Sequence, residues 1–207
     1  SVNTPANTGL TPVYIAAHGG HVDAIKALTT LGASVNTPAN DGCTPVFIAA
    51  QHGHVDAIKA LAARGGSFNT PDNNGFTPVY VAAMKGHVAA IKALAALGAS
   101  VNTPDNDGST PIYIASQQGH VDAIKMLAAL GASVNTPDNN GCTPICIAAY
   151  QGHVNAIKAL AALGASVNAS VNTPANNGFT PVHIATQKGL VDAIKALAAL
   201  GASVNTP

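Results

Sequence analysis

The chain has 207 residues, 47% hydrophobic and only 9% charged, and nine Lys and Arg balance nine Asp with no Glu, so its formal net charge is zero. That balance excludes a nucleic acid or an anionic membrane held by bulk charge, and no apolar run nears the roughly 20 residues that span a bilayer. The start lacks the basic region and apolar core of a signal peptide, and three Cys at spacings that fit no zinc signature point to a reducing compartment, so a cytoplasmic location is expected.

In chain order, a Thr-Pro pair that opens an apolar run stands at Thr11, Thr44, Thr77, Thr110, Thr143 and Thr180, at intervals of 33, 33, 33, 33 and 37. A fixed period of this length is the signature of a repeat array. The units fall at about 6–38, 39–71, 72–104, 105–137, 138–174 and 175–207, and together they predict one elongated domain over 1–207. The first reads "GLTPVYIAAHGGHVDAIKALTTLGASVN" from Gly9 to Asn36, and later units repeat it with small changes.

The third unit makes the grammar plain. Asn73-Asn74-Gly75 predicts a turn, Thr77 a helix cap, and Pro78 a first helical position where a missing N–H costs nothing. A short first helix runs to Gly86. In the second, Val88, Ile91, Leu94 and Leu97 form a slowly drifting apolar stripe, and Gly98 is expected to end it in the left-handed conformation. Helices this short are marginal alone, and one pair cannot cover its own apolar face, so neighbouring pairs must stack.

The fifth unit breaks the period. Its arm says Ala-Ser-Val-Asn twice, from Ala165 to Asn172, and residues 169–172 are the four-residue insertion. A surface connection absorbs four residues at little entropic cost, so a longer tip with helix stacking preserved is expected, rather than a hinge that levers the sixth unit away.

The unit resembles the ankyrin repeat, with its turn, Gly-x-Thr-Pro-Leu-His-x-Ala-Ala, Gly-His, second helix and Gly-Ala-Asp-Val-Asn. The resemblance covers essentially the whole chain. It implies an all-α solenoid of stacked helix-turn-helix pairs with projecting β-hairpin-like loops. Where the family has His after Thr-Pro-Leu, a residue that ties adjacent turns by hydrogen bonds, this chain has Tyr14, Phe47, Tyr80, Tyr113 and Cys146, and only His183 conforms. A Tyr hydroxyl is a substitute for that tie, whereas Phe47 and Cys146 are poor ones. Ser replaces the Asp of Gly-Ala-Asp-Val-Asn, and Leu190 replaces the last His of the Gly-His series.

Comparison of the six copies separates framework from freedom. The residue before each Thr varies: Leu10, Cys43, Phe76, Ser109, Cys142 and Phe179. So does the end of the first helix: His18, Gln51 with His52, Met84 with Lys85, Gln117 with Gln118, Tyr150 with Gln151, and Gln187 with Lys188. In ankyrin arrays these slots and the hairpin tips line the concave face that grips protein partners. The resemblance therefore implies that these residues are a candidate protein-binding surface. Drift wherever packing allows it is the plain alternative.

Other constellations carry less. The His21, His54, His87, His120 and His153 series repeats at the stacking distance of about 8–10 Å, too far for one zinc, and is expected to serve as a hydrogen-bonding framework. Cys142 and Cys146 flank a helix start four residues apart, with simple packing as the default. The Lys series on the second helices, with Asp three residues earlier in four units, marks a solvated face. Catalysis needs unlike groups that converge, and repetition spreads like groups along a line, so no enzyme, cofactor or metal is expected. The expected function is a protein-interaction scaffold with an unidentified protein partner. The alternative is a structural, self-stacking section of a long array or an engineered repeat protein without a dedicated ligand. Terminal units without polar outer faces predict end-to-end association at high concentration.

Overall fold

A computed structural model describes residues 2–165 and 180–203, so Phe179, the insertion at 169–172 and the arm that carries it lie outside the described residues. The chain divides into two compact units, Ser1–Asn106 and Asp107–Pro207. Among the described residues there are twelve helices and no strand.

The first unit holds α1 (Pro12–His18), α2 (Val22–Thr30), α3 (Pro45–Gln51), α4 (Val55–Ala62), α5 (Pro78–Met84) and α6 (Val88–Ala96). The second holds α7 (Pro111–Gln117), α8 (Val121–Ala129), α9 (Pro144–Gln151), α10 (Val154–Ala162), α11 (Pro181–Gln187) and α12 (Val191–Ala199). Within each unit the odd-numbered helices pack side by side in one layer and the even-numbered helices in another, with each odd helix packed on the even one that follows it. In the second unit α11 packs on α9 and α12 on α10, so the sixth pair stacks on the fifth.

The local chemistry explains the elements. Thr11, Thr44, Thr77, Thr110 and Thr180 each accept through Oγ1 the backbone N–H three residues on, at 3.2–3.4 Å, with Pro at the first helical position. At Thr143 the backbone conformation is the same, but the buried Oγ1 has no partner, and nothing in the structure explains the difference. The second helices end as expected. Gly98 adopts φ +93°, its N–H donates to the Ala95 carbonyl at 2.9 Å, and the Ala99 N–H donates to Leu94 at 3.0 Å. That pair of bonds is the Schellman closure.

The core forms between layers. Ile58, Leu61, Ile91, Leu94, Ile124, Leu127, Ile157 and Leu160 are fully buried, each contributing about 1.5–3 kcal/mol by leaving water. Of the stripe on α6 only Ile91 and Leu94 reach this state. Val88 and Leu97 at its ends are half-buried, because residues three apart rotate steadily off the buried line. The first helices of interior pairs are apolar all round because they are covered all round: Pro78 through Ala83 are all buried.

Candidate functional site

The connections between pairs are narrow hairpin-like turns held by backbone bonds without assigned strands. Asp72 N–H donates to the Phe76 carbonyl at 3.0 Å, and Asp138 N–H to the Cys142 carbonyl at 2.9 Å. Successive tips are tied together. The Asn73 side-chain amide donates to the Asn40 carbonyl at 3.3 Å, and its backbone N–H to Asp41 at 3.1 Å. Gly42, at φ +86°, has no room for a Cβ, which would stand 2.7 Å from Asn73 Oδ1. These tips are therefore framework first, and their outward surface is what remains for a partner.

The arms carry a second tie that the sequence reading leaves without a role. Asn36 Nδ2 donates to the Gly65 carbonyl at 2.9 Å while its Oδ1 accepts the Ser67 N–H at 2.8 Å, and Asn3 does the same with Gly32 and Ser34. The signal is the constant Asn of Ser-Val-Asn, whose acceptor and donor lie one repeat away and so are invisible locally.

The His series behaves as a framework. His54, His87 and His153 each place Nε2 at 3.1 Å from the carbonyls of His18, Gln51 and Gln117 in the preceding pair. Tyrosine takes over part of the family's other tie: the Tyr80 hydroxyl donates to Asp105 Oδ2 at 2.8 Å and that of Tyr113 to Asp138 Oδ2 at 3.1 Å. Tyr14 has Ala39 at the corresponding position, and burial, followed by the nearby Cys43 and Asp41, pushes its hydroxyl up to about 12. Asp72, opposite Phe47, instead accepts the Asn74 and Phe76 N–H groups of its own hairpin.

The two variable slots occupy different surroundings. In the slot before Thr, Cys43 and Ser109 are buried, 6% and 8% exposed, while Leu10, Phe76 and Cys142 are half-buried. Phe76 lies flat on Tyr80, ring centroids 4.6 Å apart at 4°. Burial, reinforced by Asp41, pushes the Cys43 thiol up to about 12, so it is an inert apolar group at neutral pH. The neighbouring thiols shift each other: Cys146 lowers the Cys142 pKa, and Cys142, with burial, raises that of Cys146.

The slot at the first-helix ends faces solvent. His18, His52, Lys85, Gln118, Tyr150, Gln151, Gln187 and Lys188 are exposed, and Gln51, Met84 and Gln117 are half-buried. The fold brings some of them together in a diagonal pattern, a residue at the end of the first helix of one pair against the residue after the first helix in the next. His18 meets His52 at 4.4 Å between ring centroids, and Lys188 Nζ sits 3.5 Å over the Tyr150 ring. Such an exposed cation–π pair contributes about 0.5–1 kcal/mol. The row combines aromatic area with adaptable polar groups, which suits it to contact a protein surface.

Among the described residues no helix is long and apolar enough to cross a membrane, and no group of three or more His, Cys, Asp or Glu is placed to hold a metal. A search of curated proteins gives no match. The family model described as "Ankyrin repeats (3 copies)" matches residues 1–72, 63–138 and 130–207. With Thr-Pro caps, paired helix layers and inter-pair His and Asn ties recurring through those same residues, the chain belongs to the ankyrin-repeat family.

Proposed function

We propose that the chain is a protein-interaction scaffold that holds its partner on the first-helix ends and the outer surface of the hairpin tips. Ankyrin repeats are generally protein-interaction modules, and the family membership supports that much. The reading rests on one observation: the residues that differ between copies at the first-helix ends are exposed or half-buried, whereas the capping Thr that all six copies share is buried. Neutral drift spreads variation over any solvated position. Here the solvated second-helix Lys recurs in all six copies, while the first-helix ends change.

The test is affinity capture from a source lysate, comparing the native chain with a Met84→Ala, Tyr150→Ala, Lys188→Ala variant of unchanged circular dichroism. Loss of one or more specific partners is expected. An identical partner list for the two chains would remove the proposed face.

A second reading, end-to-end stacking of copies, is favoured by a separate observation. Ile15 is 55% exposed where its counterparts Ile48, Val81, Ile114, Ile147 and Ile184 are buried, and Leu31 and Val191 are 69% and 55% exposed. Sedimentation over a concentration series is expected to show reversible association that Ile15→Lys abolishes. A strict monomer throughout rejects it.

A further inference from the structure

We propose that His18 and His52 form a chelating pair for a divalent transition-metal ion of Cu²⁺ or Ni²⁺ type, bridging the first two helix pairs at the solvent-facing first-helix ends. The two imidazoles come from different repeats, one at the last residue of α1 and one just past α3, and both are exposed. Their ring centroids are 4.4 Å apart with planes tilted by 55°. This pair occurs once, because the corresponding diagonal between the fifth and sixth pairs joins Tyr150 to Lys188.

The separation selects the coordination angle. A metal–nitrogen bond of about 2.0–2.1 Å places an ion about 3.2 Å from each ring centre, so centres 4.4 Å apart subtend about 90° at it. That is the angle between neighbouring ligands of a square-planar or octahedral ion. The tetrahedral angle of zinc would call for centres about 5.2 Å apart. Imidazole nitrogen suits Cu²⁺ and Ni²⁺, both of which favour tetragonal or octahedral surroundings and complete them with water. Exposed rings can swing about their broad χ2 wells to point one nitrogen each at the shared ion.

The surroundings help in two ways. His54 is committed through Nε2 to the His18 carbonyl at 3.1 Å, which fixes the two pairs against each other at this point. Its ring lies 6.0 Å from that of His52. Burial, followed by the neighbouring His18, His54, His87 and Lys85, lowers the His52 pKa, in the direction of the neutral ring.

The experiment titrates the untagged full chain with NiCl₂ at pH 7.5 by calorimetry, alongside His18→Gln, His52→Gln and, as background, His21→Gln. One site is expected, weakened roughly tenfold or more by either of the first two changes, because the chelate's local concentration is lost, and unmoved by the third. Equal affinity in the native chain and His52→Gln overturns the proposal. Electron paramagnetic resonance of the native chain with one equivalent of CuSO₄ tests it without any substitution. Two imidazole nitrogens on copper are expected, and a single nitrogen or none refutes the bridge.

Discussion

Two junctions in the second unit differ in the side chain that lies over the glycine of the preceding pair. Between the fourth and fifth pairs, His153 lies over Gly119 and bonds the Gln117 carbonyl at 3.1 Å. Between the fifth and sixth, Leu190 lies over Gly152 in the same way, but a leucine has nothing to donate. Both junctions nevertheless stack their helices alike, α9 on α7 and α11 on α9. Cohesion between pairs is thus carried by apolar contact, and the His bond adds directional specificity worth about 0.5–1.5 kcal/mol.

The comparison is sharpest at glycine. Gly119 and Gly189 both have positive φ, +72° and +67°, but a Cβ at Gly119 would lie 2.9 Å from the His153 ring, whereas at Gly189 nothing lies within 4 Å. Gly119→Ala is therefore expected to cost about 2–3 kcal/mol, left-handed strain plus a displaced His153 bond, and Gly189→Ala about 1 kcal/mol. Urea denaturation of the two variants measures this directly, and equal costs would mean that the close approach is irrelevant.

Exchanging the ties themselves comes next in size. His153→Leu should lower stability by about 1 kcal/mol. Leu190→His, which gives the sixth pair the donor that the fifth uses, should restore roughly 0.5–1 kcal/mol by reaching the Tyr150 carbonyl, the position equivalent to Gln117. Amide exchange in Val191–Ala199 is the readout, and slower exchange in Leu190→His is the expected sign. An unchanged rate would place the tie outside the cohesion of this junction.

The smallest effect is expected on the outer layer. Lys59 and Asp56 lie 3.5 Å apart but are 62% and 82% exposed, so water screens the pair. Lys59→Ala should leave the thermal midpoint unchanged within error. A drop of several degrees would show that the second-helix face is more than a solvated surface.

Much of this fold was legible because its causes are local and repeated. Thr77 before Pro78 announces a capped helix, and Gly98 after a buried stripe announces its end. Each acts within a few residues of itself. Of the doubled tetrapeptide at Ala165–Asn172, on the arm between α10 and α11, all but Ala165 lies outside the described residues, although the fifth and sixth pairs stack. The candidate surface was only partly legible. Variation from copy to copy marked Cys43 and Phe179 as readily as Lys188, yet Cys43 is buried, Phe179 lies outside the described residues, and Lys188 is exposed over an aromatic ring.

The amino-acid sequence by itself determined the period, the helix pairs, their caps and the need to stack, since short amphipathic helices have no other way to hide their apolar faces. Only the tertiary structure decided which distant residues meet. His18 against His52, His54 on the His18 carbonyl and Tyr80 on Asp105 join residues 25–36 positions apart. Their pairing depends on the offset between neighbouring repeats, a rotation and translation that no stretch shorter than two repeats encodes.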